Sequence, residues 1–225
     1  MAARKRPLAL ETKPFVLART EAGLAAIDQR GVNLALWERP LPRRFLGWLE
    51  DITASHSIER RATLRRRDLD VSVLLADLPS TRGREALADD IHAVVRLFTR
   101  LRGVVAVEAS LAVVVGDKCR KFHADWKPLR LVCTYAGPGT EWVANAAVRR
   151  DALMSETHDM DAANRATVPD PRDVRHANPG DVVVLKGERY RGNAGNGAVH
   201  RSPPIEASGK RRLVLTLDMA ARAAE

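Results

Sequence analysis

Two cysteines in 225 residues are too few for a disulfide framework, so Cys119 and Cys133 are read as reduced thiols in the core. Aromatic residues make up only 4% of the chain, which gives a base-stacking platform for nucleic acid little support. No segment has the uninterrupted apolar length needed to span a bilayer. The opening MAARKRPLAL is basic but lacks the apolar run and small-residue cleavage site of a secretory signal. These absences argue against a membrane partner, and the expected location is cytoplasmic. Charge of one sign is in excess: 37 Lys and Arg face 28 Asp and Glu, a formal net charge of +9. Such a balance suits an acidic partner such as nucleic acid. The basic residues are nevertheless spread along the chain. The one dense cluster, RRATLRRR at 60–67, reads equally well as a solvated face.

The length suits one domain with a substantial core. Residues 1–42, punctuated by Pro7, Pro14, Pro40 and Pro42, read as a loosely structured arm with at most one short helix. Residues 43–225 form the domain, with helical support over 43–103 and a β-rich core over 104–225. In the helical part, Phe45, Leu46, Trp48, Leu49 and Ile52 recur at helical spacing. A second helix starts at a Ser80 or Thr81 cap, presents Leu87, Ile91, Val94, Val95 and Phe98 as a stripe, and stops at Gly103. His92 lies beside that stripe with nothing at ligand spacing and is read as a packed or edge residue; His158 and His176 fall in a polar segment, 144–178, read as a helix or minor strands plus a long loop that shapes substrate access, and are assigned surface roles.

Beyond Gly103 the period changes to that of strands. The stretch 119–142, CRKFHADWKPLRLVCTYAGPGTEW, is the centre of interest. In extended chain His123 and Asp125 point the same way and can hold one ion together. A third ligand, His200, follows a strand (VVVLKG) and a Gly/Asn-rich hairpin. Two imidazoles and one carboxylate on one face of a metal leave coordination positions open, the arrangement suited to non-haem Fe(II). In the last strand, RLVLTLD, Arg212, Val214, Thr216 and Asp218 share one face and Leu213, Leu215 and Leu217 the other. The Leu face packs outward, so Arg212 points towards the cavity, where its fork can grip a carboxylate. An inward Arg in an apolar setting argues for an acidic ligand.

With those residues in hand, the pattern HxD, a hydrophobic strand, His-Arg-x-Pro and Arg-x-x-x-Thr resembles the Fe(II)/2-oxoglutarate-dependent oxygenase superfamily. More closely, the block CxxFHxDxxxxRLxxTYxGPGTEW and the later VHRSPP resemble an uncharacterised bacterial domain-of-unknown-function family. The resemblance covers about 113–218 and implies an α+β fold: a double-stranded β-helix (jelly-roll or cupin-like) barrel with N-terminal helices packed on one sheet. It implies that His123, Asp125 and His200 hold Fe(II), that Arg212 binds the distal carboxylate of the cosubstrate 2-oxoglutarate, and that Tyr135 adds a hydroxyl to that carboxylate. The activity implied is hydroxylase-type C–H oxidation of an unidentified substrate, with succinate and CO2 as co-products. Trp126, Arg130, Glu141 and Trp142 are assigned to the pocket mouth, although the two Trp residues equally suit barrel packing. Two other readings stand beside it. A non-oxygenase barrel could use the same His2Asp set for Zn, Ni or Mn, and a basic nucleic-acid-binding protein would rest on charge alone. Arg212 separates the first pair, since a simple metal store needs no carboxylate anchor.

Overall fold

The computed structural model describes residues 14–101, 104–154, 157 and 159–220. Two short strands come first, β1 (Phe15–Ala18) and β2 (Leu34–Trp37), followed by α1 (Arg43–Ser55), β3 (Glu59–Arg65) and α2 (Arg82–Arg100). The rest is mostly β: β4 (Ala106–Val115), β5 (His123–Ala124), β6 (Leu129–Ala136), β7 (Glu141–Val143), then 3-10 turns and α3 (Met160–Thr167), and finally β8 (Val174–His176), β9 (Val182–Lys186), β10 (Val199–Arg201) and β11 (Arg211–Met219). Gly103 and His158 lie outside the described residues.

The strands form a seven-stranded sheet, β1-β2-β9-β6-β11-β4-β3, and a four-stranded sheet, β5-β10-β7-β8. The chain passes back and forth between the sheets. Leu34, Leu36, Val132, Val183, Leu185 and Val214 of the large sheet pack against Trp142 of the small one, joining the two layers through apolar side chains. Among the described strands no ladder joins one sheet to the other, so the layers do not close into the barrel expected from the sequence. Residues 14–42 also differ from the loose arm expected. β2 pairs antiparallel with β9, β1 adds parallel to β2, and the turn between them buries Leu24 and Ile27. Four-residue strands carry too little periodicity to be seen locally; among the described strands β1 has only β2 as a partner, and the partner of β2 lies about 150 residues further on.

The helices pack on the outer face of the large sheet. α2 is capped by Thr81, whose hydroxyl accepts from the Arg84 amide, and carries Glu85 in its first turn, where the helix dipole favours an acid. Its stripe Leu87, Ile91, Val94, Val95 and Phe98, with Leu49 and Ile52 of α1, covers Leu131, Cys133 and Tyr135 of β6 and Leu213, Leu215 and Leu217 of β11. Burial in this layer pushes the Cys133 thiol up to about 12, so it stays protonated. Cys119, by contrast, is exposed in a left-handed turn at φ 59° rather than in the core.

One buried polar knot ties the layers together. Arg39, in the connection before α1, grips both oxygens of Asp90 on α2 at 2.6 and 2.8 Å, and the Tyr135 hydroxyl donates to Asp90 at 2.6 Å. Arg39 also donates from Nε to the Gly180 carbonyl at 2.6 Å. With side chains 11% and 18% exposed, the pair has little water to fall back on. Removing one partner would strand the other charge. Asp90→Ala is therefore expected to lower the unfolding free energy by about 3–5 kcal/mol in urea titration, and Tyr135→Phe by about 1 kcal/mol. A loss under about 1 kcal/mol for Asp90→Ala would mean that solvent reaches Arg39 in the folded state.

Candidate metal centre

The small sheet brings the two imidazoles together by register. β10 runs antiparallel to β5 with His200 directly opposite His123, so side chains distant in sequence leave the sheet on one face. Their ring centroids are 4.6 Å apart. His123 Nδ1 lies 2.9 Å from the Lys121 carbonyl and His200 Nδ1 3.0 Å from the Ala198 carbonyl. A carbonyl can only accept, so each Nδ1 carries a proton, and in the neutral ring each Nε2 presents a lone pair. Both Nε2 atoms face Asp125: His123 Nε2 is 3.7 Å from Oδ1 and His200 Nε2 is 3.5 Å from Oδ2.

Asp125 lies just beyond β5, and its two oxygens have different surroundings. Oδ1 accepts from Arg130 Nη1 at 2.9 Å, whereas Oδ2 is buried without a hydrogen-bond partner. An unpartnered carboxylate oxygen is costly in a folded chain and calls for a cation. Burial, only partly offset by Asp125, pushes the His200 imidazole down to about 4, so at neutral pH it is an uncharged donor. One atom from each of His123, Asp125 and His200 falls within a mutual 4.8 Å, a set that could hold a divalent metal. The donor set and the unpartnered oxygen both fit such an ion.

On the large sheet the alternation of β11 sends Leu213, Leu215 and Leu217 to the helices and Arg212 to the opposite side, towards the small sheet. Trp142, paired with His200 across β7 and β10, packs on that same side against Val132, Val183 and Val214. Arg212 and the imidazoles thus face the space between the layers. Arg212 is 2% exposed. Its Nε donates to the Pro138 carbonyl at 2.6 Å, and Nη2 reaches the Thr134 and Thr140 hydroxyls at 3.2 and 3.5 Å. Among the described residues no carboxylate forms an ion pair with it. Burial, opposed only by the field of Glu141, lowers its pKa to about 10, leaving it charged at neutral pH.

The turn after β6 makes this grip. Gly137 adopts φ +78°, and a Cβ there would lie 2.1 Å from the Arg211 carbonyl; at Gly139 it would lie 1.9 Å from the Ala177 carbonyl. Only glycine lets the turn approach closely enough for Pro138 and Thr140 to reach Arg212. Arg211, one residue earlier, turns the other way and donates to the Ala54 and His56 carbonyls at the end of α1.

The remaining assignments divide. Tyr135 does not join Arg212: it stands on the helix-facing side of β6 and bonds Asp90, while its neighbour Thr134 supplies the hydroxyl next to the guanidinium. Period-two alternation already separated Tyr135 from Arg130 and Thr134, and that was the signal for Thr134. Trp126 is 74% exposed. Trp142 is buried packing beside His200, with Phe15 tilted against it at 5.0 Å. Glu141 is buried facing away from the imidazoles, 2.5 Å from Arg201 Nε, and His176 is exposed with Nδ1 3.5 Å from the same carboxylate. Arg130 lines a cavity of ≈ 420 Å³ with Arg61, Glu108, Lys127, Thr216 and Asp218. His92 is exposed on α2.

The fold and site together define an α+β protein of two packed sheets with a two-histidine, one-carboxylate cluster between them. The chain belongs to the family described as Protein of unknown function (DUF1826), whose model matches residues 18–218. No curated protein matches it. Among solved structures, it is similar to the dioxygenase for auxin oxidation 1 from Arabidopsis thaliana in its 2-oxoglutarate complex, with 10% identity, a TM-score of 0.50 and 94% of each chain covered. It also matches a Pseudomonas putida prolyl-4-hydroxylase (12% identity, TM-score 0.45, 90% of this chain and 99% of that one). A third match is a full-length Neurospora crassa protein in complex with alpha-KG (10% identity, TM-score 0.43, 91% of this chain and 78% of that one). The first of these supports a likeness of fold.

If Arg212 is kept for a ligand rather than for folding, its buried charge is a burden on the ligand-free protein. Arg212→Met is expected to leave that protein as stable as the parent or up to about 4 kcal/mol more stable, read by urea or thermal unfolding. A loss above about 2 kcal/mol would assign Arg212 to the fold instead.

Proposed function

We propose that this chain is a non-haem Fe(II)- and 2-oxoglutarate-dependent oxygenase acting on a C–H bond of a substrate still to be identified. The observation that carries the reading is a buried arginine without an acidic partner, facing the same inter-sheet space as a converging His-Asp-His set. The strand order supports it too. From β4 to β11 the chain alternates between sheets as β4-β11-β6-β9 and β5-β10-β7-β8, the winding of a double-stranded β-helix. The auxin dioxygenase it is similar to in fold was solved with 2-oxoglutarate bound.

In this reading His123, His200 and Asp125 hold the metal through two Nε2 lone pairs and Oδ2. The two backbone carbonyls fix the imidazole tautomers, so no proton must leave Nε2 for the site to load. Arg212, pinned by Pro138, Thr134 and Thr140, offers its remaining donors to the distal carboxylate of 2-oxoglutarate. The apolar lining from Val132, Val183 and Val214 keeps bulk water from that ion pair and strengthens it. Fe(II) and 2-oxoglutarate, when bound there, would supply O2-dependent oxidation of a substrate C–H bond, one oxygen atom ending in succinate as CO2 is released and the other in the hydroxylated product. A metal store using the same three ligands would leave Arg212 without purpose, which is why the oxygenase reading is preferred.

Anaerobic addition of Fe(II) and 2-oxoglutarate to the metal-free protein is expected to produce a visible metal-to-ligand charge-transfer band. His123→Ala should abolish it. Arg212→Met should retain metal binding but raise the 2-oxoglutarate concentration needed by roughly 10- to 100-fold, the loss of one or two charge-assisted hydrogen bonds. No band in the parent, or identical bands in both variants, would refute the assignment; stoichiometric Zn(II) or Mn(II) binding indifferent to 2-oxoglutarate would favour the metal-store reading.

A further inference from the structure

Asp125 is joined to a charge network that the proposed chemistry does not itself require. Arg130 sits on β6 directly opposite Asp218 on β11, so the two side chains leave the sheet together on its inner face. Arg130 Nε and Nη2 reach the two oxygens of Asp218 at 2.6 and 3.0 Å, a two-pronged fork, and Lys127 also donates to Asp218. This fork already satisfies one edge of the guanidinium. The other edge is used on Asp125, where Nη1 donates to Oδ1 at 2.9 Å. Burial alone would raise the Asp218 carboxyl, but the bonds from Arg130 and Lys127 more than offset it and hold its pKa below the ordinary value.

We infer that Arg130 is a positioning residue for the metal centre, holding Asp125 as a one-oxygen ligand while Asp218 fixes Arg130. This rests on the reading of His123, Asp125 and His200 as metal ligands. A carboxylate with both oxygens free can turn and chelate through both, using two coordination positions. With Oδ1 committed to Arg130, only the unpartnered Oδ2 faces the His200 Nε2, at 3.5 Å. A carboxylate binding through one oxygen would use one coordination position of the metal and leave more of them free for a cosubstrate than a carboxylate binding through both.

Lys127, Arg130 and Asp218 also line the ≈ 420 Å³ cavity. The fork on Asp218 is therefore required: without it the long Arg130 side chain has an open cavity to swing into. A purely structural Arg130 would tie β6 to β11 through Asp218 and have no effect on the metal beyond a general loss of stability.

The experiment is a Co(II) titration of the full-length metal-free protein, followed by visible absorption without 2-oxoglutarate, with urea unfolding run in parallel. Arg130→Gln is expected to weaken Co(II) binding about 10- to 100-fold and to change the shape and intensity of the d–d bands. Arg130→Lys should recover part of the affinity but not the parent spectrum, because an ammonium cannot hold Asp218 and Asp125 in one plane. Asp218→Asn should fall between them. Should Arg130→Gln fail to fold, Arg130→Lys carries the spectral comparison. Parent affinity and parent spectrum in the Arg130 variants would overturn this inference while leaving the metal reading intact. A parent that binds no Co(II), or binds it unchanged after His123→Ala, would overturn the metal reading and this inference with it.

Discussion

The alternation of β11 is the constraint on which the rest depends. It lies between β4 and β6 inside the large sheet, paired along its whole length with β4 and from Leu213 to Asp218 with β6. Because successive side chains leave on opposite faces, one seven-residue run builds two different surfaces. Its leucines seat the helices, and its polar positions put a guanidinium at one end and a carboxylate at the other end of the inner face. A one-residue slip would send Arg212 and Asp218 into the helix layer and the leucines into the inter-sheet space. The apolar stripe of α2 and the ladder with β4 hold the register against that slip.

One buried and two largely covered arginines show three solutions to the same electrostatic problem. Arg39 meets a carboxylate squarely and serves as a strut between helix and sheet. Arg130 is shared between two carboxylates and so transmits the position of one to the other. Arg212 has only carbonyl and hydroxyl acceptors, which fix its direction but leave its charge unmatched. Position relative to a carboxylate, rather than burial, tells the strut from the anchor.

Much of this was legible in the chain. The His-x-Asp pair, the later His200 and the inward Arg212 follow from period-two alternation and from the chemistry of their side chains, and the capped stripe of α2 follows from helical spacing. What stayed hidden was set by contacts far apart in sequence. β2 gains its strand character from β9, and β1 from β2, and nothing within four residues announces it. The placement of Tyr135 beside Arg212 came from family resemblance, and it conflicts with the alternation that sends Thr134, not Tyr135, inward. The Gly-Pro-Gly-Thr turn shows no task in the sequence; in the fold its carbonyl and hydroxyl close on Arg212. Closure of the two sheets into a barrel was likewise a matter of long-range pairing that side-chain patterns do not encode.

The arginine-rich stretch at 60–67 takes on a different meaning from its place in the large sheet. Among the described strands β3 is the outermost there, next to β4 on one side with no strand on the other. A bare strand edge invites a second chain to add to it, and like charges are a common deterrent. Along β3, Arg61 and Arg65 are exposed while Arg60 is tied back to Asp77. A copy docking edge to edge would have to bring its own arginines alongside these. At these positions the charge excess that first suggested an acidic partner also disfavours edge-to-edge pairing of β3 with a copy of itself.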